Sequence, residues 1–129
     1  MESPKCVFCE IYDESLEHLF ANCAIIKTFW LRMLTLWNVF QGSALKLCNK
    51  DILLGFDIED PAKSYTLNLL ILYGKMFIVR CRMEKLDLNV HMFIRYVMSH
   101  YAFRLEAHLR GKLQTYEIEL TEFCSNYEV

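Results

Sequence analysis

The sequence predicts an all-α fold, in which a small N-terminal loop and short helix pack on a bundle of three or more longer helices. Apolar residues recur at steps of three and four along three long segments, which is the spacing that places them on one face of an α-helix. Only two prolines and four glycines interrupt the 129 residues, so the composition leaves no flexible linker. We therefore expect a single domain over residues 1–129, made of an N-terminal segment (1–30) and a helical C-terminal region (31–129).

Four residues of the N-terminal segment have the types and the spacing of metal ligands. In the order C-x2-C-x8-H-x4-C they are Cys6, Cys9, His18 and Cys23. A close pair of cysteines can hold a metal from a tight turn, and the histidine and third cysteine complete the tetrahedral sulfur and nitrogen set that Zn²⁺ prefers. Because all four ligands come from the protein, the motif predicts one closed, structural Zn²⁺ site. The alternative is a group of ordinary buried cysteines with an unrelated histidine nearby.

A short helix from Ser15 to Asn22 is predicted to carry His18. In an α-helix the residue five positions later, Cys23, is rotated by about 140° from His18. Both side chains can reach one metal only if the helix loosens or ends near Cys23, and Asn22 is a suitable residue for such an end. The metal hypothesis therefore predicts a helix end at this point.

The first long helix is predicted from an apolar stripe that ends near Gln41-Gly42-Ser43. The stripe consists of Ile26, Trp30, Met33, Trp37 and Phe40. A loop then runs through Cys48 to Ile52-Leu53-Leu54, which is either a turn of helix or an isolated strand.

The second long helix is predicted to begin at Asp60-Pro61, with an N-cap followed by proline at the first helical position. Its predicted buried face is formed by Leu69, Leu72, Met76, Val79, Met83 and Leu86. Asp87 to Asn89 break this helix. The third helix is predicted to continue past Gly111 to about Phe123, and its apolar residues recur at steps of four as Phe93, Val97, Tyr101, Leu105 and Leu109.

Further residues around the ligands form a recognisable pattern. The turn Cys6-Val-Phe-Cys9 is followed by the run Glu14-Ser15-Leu16-Glu17-His18-Leu19-Phe20, and then by Cys23 and Phe29-Trp30. This pattern resembles the zinc-binding domain found after the reverse transcriptase in LINE-type non-LTR retrotransposon polyproteins. Asp51-Ile-Leu-Leu-Gly55 and Leu69-Leu-Ile-Leu-Tyr-Gly-Lys75 are similar to the C-terminal tail of the same polyproteins. The similarity spans about residues 6–115, with one departure at Ala24, where many members place a proline.

The resemblance implies a non-catalytic, zinc-binding accessory module that contributes to RNA or single-stranded DNA binding during target-primed reverse transcription. The chain lacks the reverse transcriptase and endonuclease parts of that family, and it contains no Gly-rich phosphate loop, HExxH or GxSxG motif. Two alternatives stay open. One is a protein-interaction module with a purely structural zinc, which would dock a protein partner or the parent polymerase, and the other is a truncated element remnant with no selected role.

Positive charge is concentrated in the middle of the chain. Residues 61–113 carry nine Lys and Arg against three Asp and Glu, whereas the segments on both sides are acidic. Such a surplus can attract the phosphates of RNA or single-stranded DNA. The candidate contacts are Lys63, Lys75, Arg80, Arg82, Lys85, Arg95, Arg104, Arg110 and Lys112. The alternative is a set of solvated cations that pair with Glu84, Asp87, Glu106 or the acidic tail.

Aromatic side chains of the N-terminal loop are candidates for stacking on unpaired bases. Phe8 and Tyr12 lie near the cations Lys5 and Lys27. Phe8 can equally cap the local core. Four acidic residues surround the loop and oppose phosphate binding there, namely Glu10, Asp13, Glu14 and Glu17.

Cysteine usage and hydropathy favour an intracellular protein, either cytoplasmic or nuclear. Six cysteines with one cluster suit a reducing compartment better than a disulfide scaffold. The longest apolar run, Leu69 to Tyr73, is far shorter than the ~20 residues of a membrane span. No basic and apolar leader is recognisable, so we expect neither secretion nor a membrane partner.

Overall fold

The computed structural model describes residues 4–55, 61–100 and 115–127 of the chain. Within these ranges the backbone forms helices and no extended strand, which confirms the predicted all-α class. The elements are a π-helical turn His18–Asn22, α1 Ala24–Gln41, α2 Asn49–Leu54, α3 Pro61–Glu84, α4 Val90–His100 and α5 Thr115–Tyr127. No helix in the described ranges is long and apolar enough to cross a membrane.

Helix α1 ends where the sequence predicts. Gly42 follows its last residue with φ of 66°, a left-handed conformation that glycine adopts without steric cost. The N–H groups of Gly42 and Ser43 both donate to the carbonyl of Asn38, so the last turn closes on itself. The Asn38 side chain then holds the following loop, because it donates to Leu45 O at 2.9 Å and accepts from Leu45 N at 3.1 Å.

The segment after Cys48 is a helix, α2, which settles the open choice between a turn of helix and a strand. Asp51 caps its start by accepting the backbone N–H of Cys48 at 2.8 Å. The short helix is tied to the N-terminal segment, since Asn49 donates to the Asn22 side chain at 2.6 Å.

Helix α3 begins at Pro61 as predicted, and Asp60 lies outside the described residues. Its predicted buried face is wrong. Leu69 is half-buried, but the rest of the predicted stripe is exposed: Leu72, Met76, Val79 and Met83 on the helix, and Leu86 in the turn that follows. The residues that face the core are Thr66, Leu67, Leu70, Ile71, Gly74, Phe77, Ile78 and Cys81.

The elements that pack against α3 determine which of its faces is buried. Apolar residues of α3 occur on every face of the helix. A second series of them, with the same spacing as the predicted one, is therefore equally suited to form the buried face. Phe77 lies in that second series and meets the rings of Phe29 and Phe93, at centroid distances of 6.0 and 5.7 Å. Gly74 lets α1 approach, because a Cβ at this position would lie 2.5 Å from Cη2 of Trp30. Contacts with α1, α4 and α5, the last of which is the helix Thr115–Tyr127, therefore decide which stripe is buried.

The turn between α3 and α4 falls at the predicted break, Asp87 to Asn89. Lys85 adopts a left-handed φ of 55°, and Leu86 N–H donates back to Cys81 O at 2.9 Å. Asn89 caps the start of α4, since its side-chain oxygen accepts hydrogen bonds from the backbone N–H groups of His91 and Met92.

The third predicted helix is only partly described. Phe93 and Val97 are buried in α4, whereas Tyr101, Leu105, Leu109 and Gly111 lie outside the described residues. Helix α5 contains Phe123 and ends at Tyr127, a few residues beyond the predicted end. It packs on α1, α3 and α4, and Phe123 meets the rings of Trp37 and Phe40 at 5.4 and 5.5 Å.

Candidate metal centre

A hairpin of residues 4–14 presents the first two cysteines. Its arms are joined by an isolated antiparallel bridge between Lys5 and Asp13, whose side chains also pair at 2.8 Å. At the tip, Cys6 N–H donates to Tyr12 O and Glu10 N–H donates to Cys6 O, both at 2.9 Å. Glu10, directly after the second cysteine, has φ of 59°, which is unusual for a residue with a Cβ. This left-handed residue turns the chain back, so that Cys6 and Cys9 are presented from one tight loop.

The π-helical turn brings His18 and Cys23 together. The N–H of Cys23 donates to His18 O at 2.9 Å, a bond five residues back in place of the four of an α-helix. The wider coil rotates less per residue, so five residues return closer to a full turn than they would in an α-helix. Cys23 itself has extended angles, φ −60° and ψ 132°, and separates this turn from α1. The predicted loosening and ending of the helix at Cys23 is confirmed.

Ser15 stabilises the start of this turn. The Ser15 side-chain oxygen accepts the backbone N–H of His18 at 3.0 Å, and the Ser15 carbonyl accepts that of Leu19 at 2.8 Å. Trp30 in α1 donates its indole N–H to Phe20 O at 2.8 Å, which fixes the turn on the helix that follows. The histidine is therefore held from both sides of the turn.

The four predicted ligands converge. One donor atom from each of Cys6, Cys9, His18 and Cys23 lies within 4.8 Å of all the others. The sulfurs of Cys6 and Cys23 are 3.9 Å apart, and Cys9 Sγ lies 3.3 Å from His18 Nε2. Around tetrahedral Zn²⁺, two sulfurs would be separated by about 3.8 Å and a sulfur and a nitrogen by about 3.6 Å. The arrangement therefore fits a single tetrahedral ion, and at 3.9 Å the two sulfurs are too far apart for a disulfide.

The polypeptide around the cysteines affects their ionisation in opposite directions. Hydrogen bonds from the backbone at Tyr12 and Ile11 lower the pKa of the Cys9 thiol to about 6, against the opposing effect of burial. Burial raises the pKa of Cys23, and the backbone N–H groups of Ile26 and Ile25 at the start of α1 act against that rise. Cys9 is thus favoured as the thiolate form that metals bind, whereas a bound cation would be needed to stabilise the thiolate of Cys23.

The ligand group is closed by burial. Cys6 and Cys23 are fully buried, His18 is 8% exposed and Cys9 is half-buried. Among the residues that the structure describes, no other group of three or more His, Cys, Asp or Glu side chains is arranged to hold a metal ion. The four side chains can hold one ion without an open coordination position, which is the form of a structural site.

An ion pair joins the hairpin to α3. Arg82 donates to Glu14 Oε1 through Nε at 2.8 Å and through a second nitrogen. Hydrogen bonding to Arg82 lowers the pKa of the Glu14 carboxyl. Sequence reasoning assigned Glu14 to the acidic surroundings of the loop and Arg82 to nucleic acid. The two residues are 68 positions apart, and no local pattern relates them.

Several of the predicted nucleic-acid contacts are engaged within the protein. Lys75 donates to Leu53 O at 3.3 Å, and burial lowers its pKa. Arg80 pairs with Glu84 at 3.5 Å, as the alternative interpretation of these cations expected, and lies 5.6 Å from the centre of the Tyr96 ring. Lys85 and Arg95 are exposed. The side chain of Lys63 and all of Arg104, Arg110 and Lys112 lie outside the described residues.

The two aromatic residues of the loop differ in exposure. Phe8 is half-buried and packs against the core, in agreement with the alternative role expected for it. Tyr12 is 64% exposed, and its ring centroid lies 5.6 Å from that of His18. An aromatic surface therefore flanks the ligand histidine and faces solvent.

Comparisons with known proteins do not extend the motif evidence. No protein-family model matches this chain, and neither a curated protein nor a solved structure matches it. The similarity to LINE-type zinc-binding domains therefore remains a prediction from the residues of the motif.

Proposed function

We propose that this chain is a zinc-binding accessory module of the LINE-type reverse transcriptase kind, in which the zinc is structural and the module binds RNA or single-stranded DNA. The observation that carries the proposal is the convergence of Cys6, Cys9, His18 and Cys23, which also belong to the pattern on which the family resemblance rests. A Cys₃His donor set is typical of Zn²⁺. A closed shell leaves no coordination position for a substrate, so the proposed role is binding without catalysis.

The exposed ring of Tyr12 is the proposed stacking surface for an unpaired base. Two of the four acids around it are neutralised within the protein, Asp13 by Lys5 and Glu14 by Arg82. This pairing reduces the repulsion that phosphates would otherwise meet near the loop.

Lys85 and Arg95, two exposed cations of the predicted set, are the proposed contacts to the nucleic-acid backbone. The internal engagement of Lys75, Arg80 and Arg82 implies fewer phosphate contacts than the charge count suggests. The affinity for RNA or single-stranded DNA should therefore fall only moderately as the salt concentration rises.

Fluorescence anisotropy with a labelled 20-nucleotide single-stranded RNA tests this proposal. Replacing Tyr12 by Ala should weaken binding at least about fivefold, because one stacked base contributes roughly 1–3 kcal/mol. The double change Lys85→Ala and Arg95→Ala should lower the salt slope by about 0.7 per cation. Lys50→Ala, an exposed change on α2, is the control and should bind normally. Absence of binding by micromolar protein at 50 mM salt would contradict the proposal.

A protein-interaction module is the second candidate, favoured by the exposed apolar residues of α3. Leu72, Met76, Val79 and Met83 recur at steps of four, three and four, and between 37 and 73% of each is exposed. The proposed occupant is an apolar surface of the parent reverse transcriptase.

A nuclease-treated pull-down with a purified LINE-type reverse transcriptase separates the two candidates. Direct docking predicts capture that survives nuclease and is lost with Met83→Glu, since a charge on this stripe would have to be desolvated. Capture that disappears with nuclease would instead indicate a nucleic-acid bridge.

A further inference from the structure

A cavity of about 530 Å³ lies between α1 and the segment 45–52. This volume is within the range of about 300–1,000 Å³ that is typical of small-molecule sites. The wall is mainly aliphatic, with one indole, and its apolar members are Trp30, Leu31, Leu34, Leu45, Leu47 and Ile52. The cavity is separate from the metal ligands, although Ala21 of the π-helical turn contributes to its lining.

Most polar side chains of the cavity are already satisfied. Thr35 donates its hydroxyl to Leu31 O at 2.8 Å, Asn38 holds Leu45, and Asn49 donates to Asn22. Two cations remain, and both are exposed. Lys27 lies on α1 and Lys46 lies between the two lining leucines of the loop.

The charge at the cavity has one sign. Neither the Lys27 nor the Lys46 ammonium group forms an ion pair or hydrogen bond with any residue that the structure describes, and neither Asp nor Glu is among the described residues that line the cavity. An anionic group on a ligand would therefore meet two ammonium groups and no carboxylate. The charged group of a cationic ligand would be repelled by both ammonium groups.

We propose that this cavity binds a monoanionic amphiphile of the fatty-acid class, with its alkyl chain against the leucines and its carboxylate beside Lys27 and Lys46. Aliphatic walls favour an alkyl chain over a nucleobase, which would require aromatic faces and paired hydrogen-bonding groups. Each additional buried methylene should strengthen binding about fourfold. Affinity should therefore rise from octanoate to decanoate to laurate.

Isothermal titration of the zinc-loaded full chain with laurate, below its micelle concentration, tests the site. We expect saturable binding of one laurate per chain. The double variant Lys27→Ala and Lys46→Ala should weaken laurate binding about tenfold and leave binding of the uncharged dodecanol unchanged. Lys50→Ala removes a nearby exposed lysine that does not line the cavity, and it should bind laurate as the parent does.

A blocking variant locates the ligand. Thr35→Trp places a large side chain at the cavity wall and should abolish binding of both laurate and dodecanol, with helix content checked by circular dichroism. The proposal is overturned if laurate does not saturate, if dodecyltrimethylammonium binds as well as laurate, or if the lysine variant binds laurate unchanged. Unchanged binding by a folded Thr35→Trp protein would also overturn it.

Discussion

At the scale of single residues, the ligands are held by partners that lie outside the motif. Glu14 is the clearest case, since it fixes the hairpin to α3 through Arg82 although neither residue belongs to the Cys₃His group. Its carboxylate is largely buried, with 12% of the side chain exposed, whereas the Arg82 side chain is 37% exposed. Removing the charge should therefore weaken the attachment of the whole metal-binding segment.

We predict that Glu14→Gln lowers the free energy of unfolding at pH 7 by about 1–2 kcal/mol. A hydrogen bond between charged groups contributes roughly 1.5–3 kcal/mol, and exposure of Arg82 reduces that value through solvent screening. Denaturant unfolding measures the difference. Glu17→Gln, an exposed change in the same segment, is the matched control and should resemble the parent.

The same pair gives a pH dependence of defined sign. The folded-state pKa of Glu14 lies below its unfolded value, so the folded state binds this proton less readily than the unfolded state. The stabilisation that the Glu14–Arg82 pair gives the folded state is therefore complete above the unfolded-state pKa of Glu14, about 4.3. It is lost as the pH falls through the folded-state pKa. The difference in free energy of unfolding between Glu14→Gln and the Glu17→Gln control should be constant from pH 5.5 to 7 and should disappear in more acidic solution. A difference that stays constant in acid would contradict the assignment.

At the scale of elements, the predictable features are those with a local physical cause. The end of α1 at Gly42 and the start of α3 at Pro61 follow from backbone preferences of those two residues. The end of the short helix just before Cys23 could be predicted from geometry alone. A continuous α-helix would have placed His18 and Cys23 on different sides, where they could not bind the same metal ion. The sequence did not specify that the looser turn would be a π-helix.

The buried face of α3 required information from other elements. Its two apolar stripes have the same period, so the choice between them depends on α1, α4 and α5. Gly74 was the available clue, since an isolated glycine inside a helical pattern indicates a close approach of another element. The Glu14 to Arg82 pair was likewise beyond sequence reasoning, because it joins segments 68 positions apart.

Gly74→Ala should destabilise the protein by about 1–2 kcal/mol. The new Cβ would lie 2.5 Å from Cη2 and 2.6 Å from Cζ3 of Trp30, and such overpacking costs typically 1–3 kcal/mol. The greater helix propensity of alanine offsets up to about 1 kcal/mol of that cost. Thermal or denaturant unfolding of the single variant measures the net effect.

A double-mutant cycle identifies the cause of that loss. Phenylalanine at position 30 lacks the two indole carbons that the new methyl would meet, so Gly74→Ala should be less harmful in a Trp30→Phe background. An equal loss in both backgrounds would show that the contact with Trp30 is not responsible.

At the scale of the whole molecule, the Cys₃His group and the helical core are distinct parts of the structure. The core contains aromatic rings from three helices: the ring centroids of Phe29, Phe77 and Phe93 lie within 6.0 Å of one another. The metal site is attached to this core through the π-helical turn and through Arg82. A structural Zn²⁺ would add an apparent 10–16 kcal/mol, roughly the size of a domain's entire stability.

Chelation should therefore unfold the N-terminal segment and leave most helices intact. Circular dichroism should retain the larger part of the helical signal, and trypsin should cut at Lys5 and Lys27 much faster than in the metal-loaded protein. Re-addition of zinc should restore protection. Complete loss of helix, or unchanged proteolysis, would contradict this separation.

The central claim is that three thiolates and one imidazole bind a single zinc ion, and its most direct test is the metal content of protein purified without added zinc. Elemental analysis should find about one Zn²⁺ per chain for the parent protein and for Cys48→Ser, which changes an exposed cysteine outside the group. Cys9→Ser should contain much less. A parent protein without metal, or a Cys9→Ser protein with an undiminished content, would contradict the account.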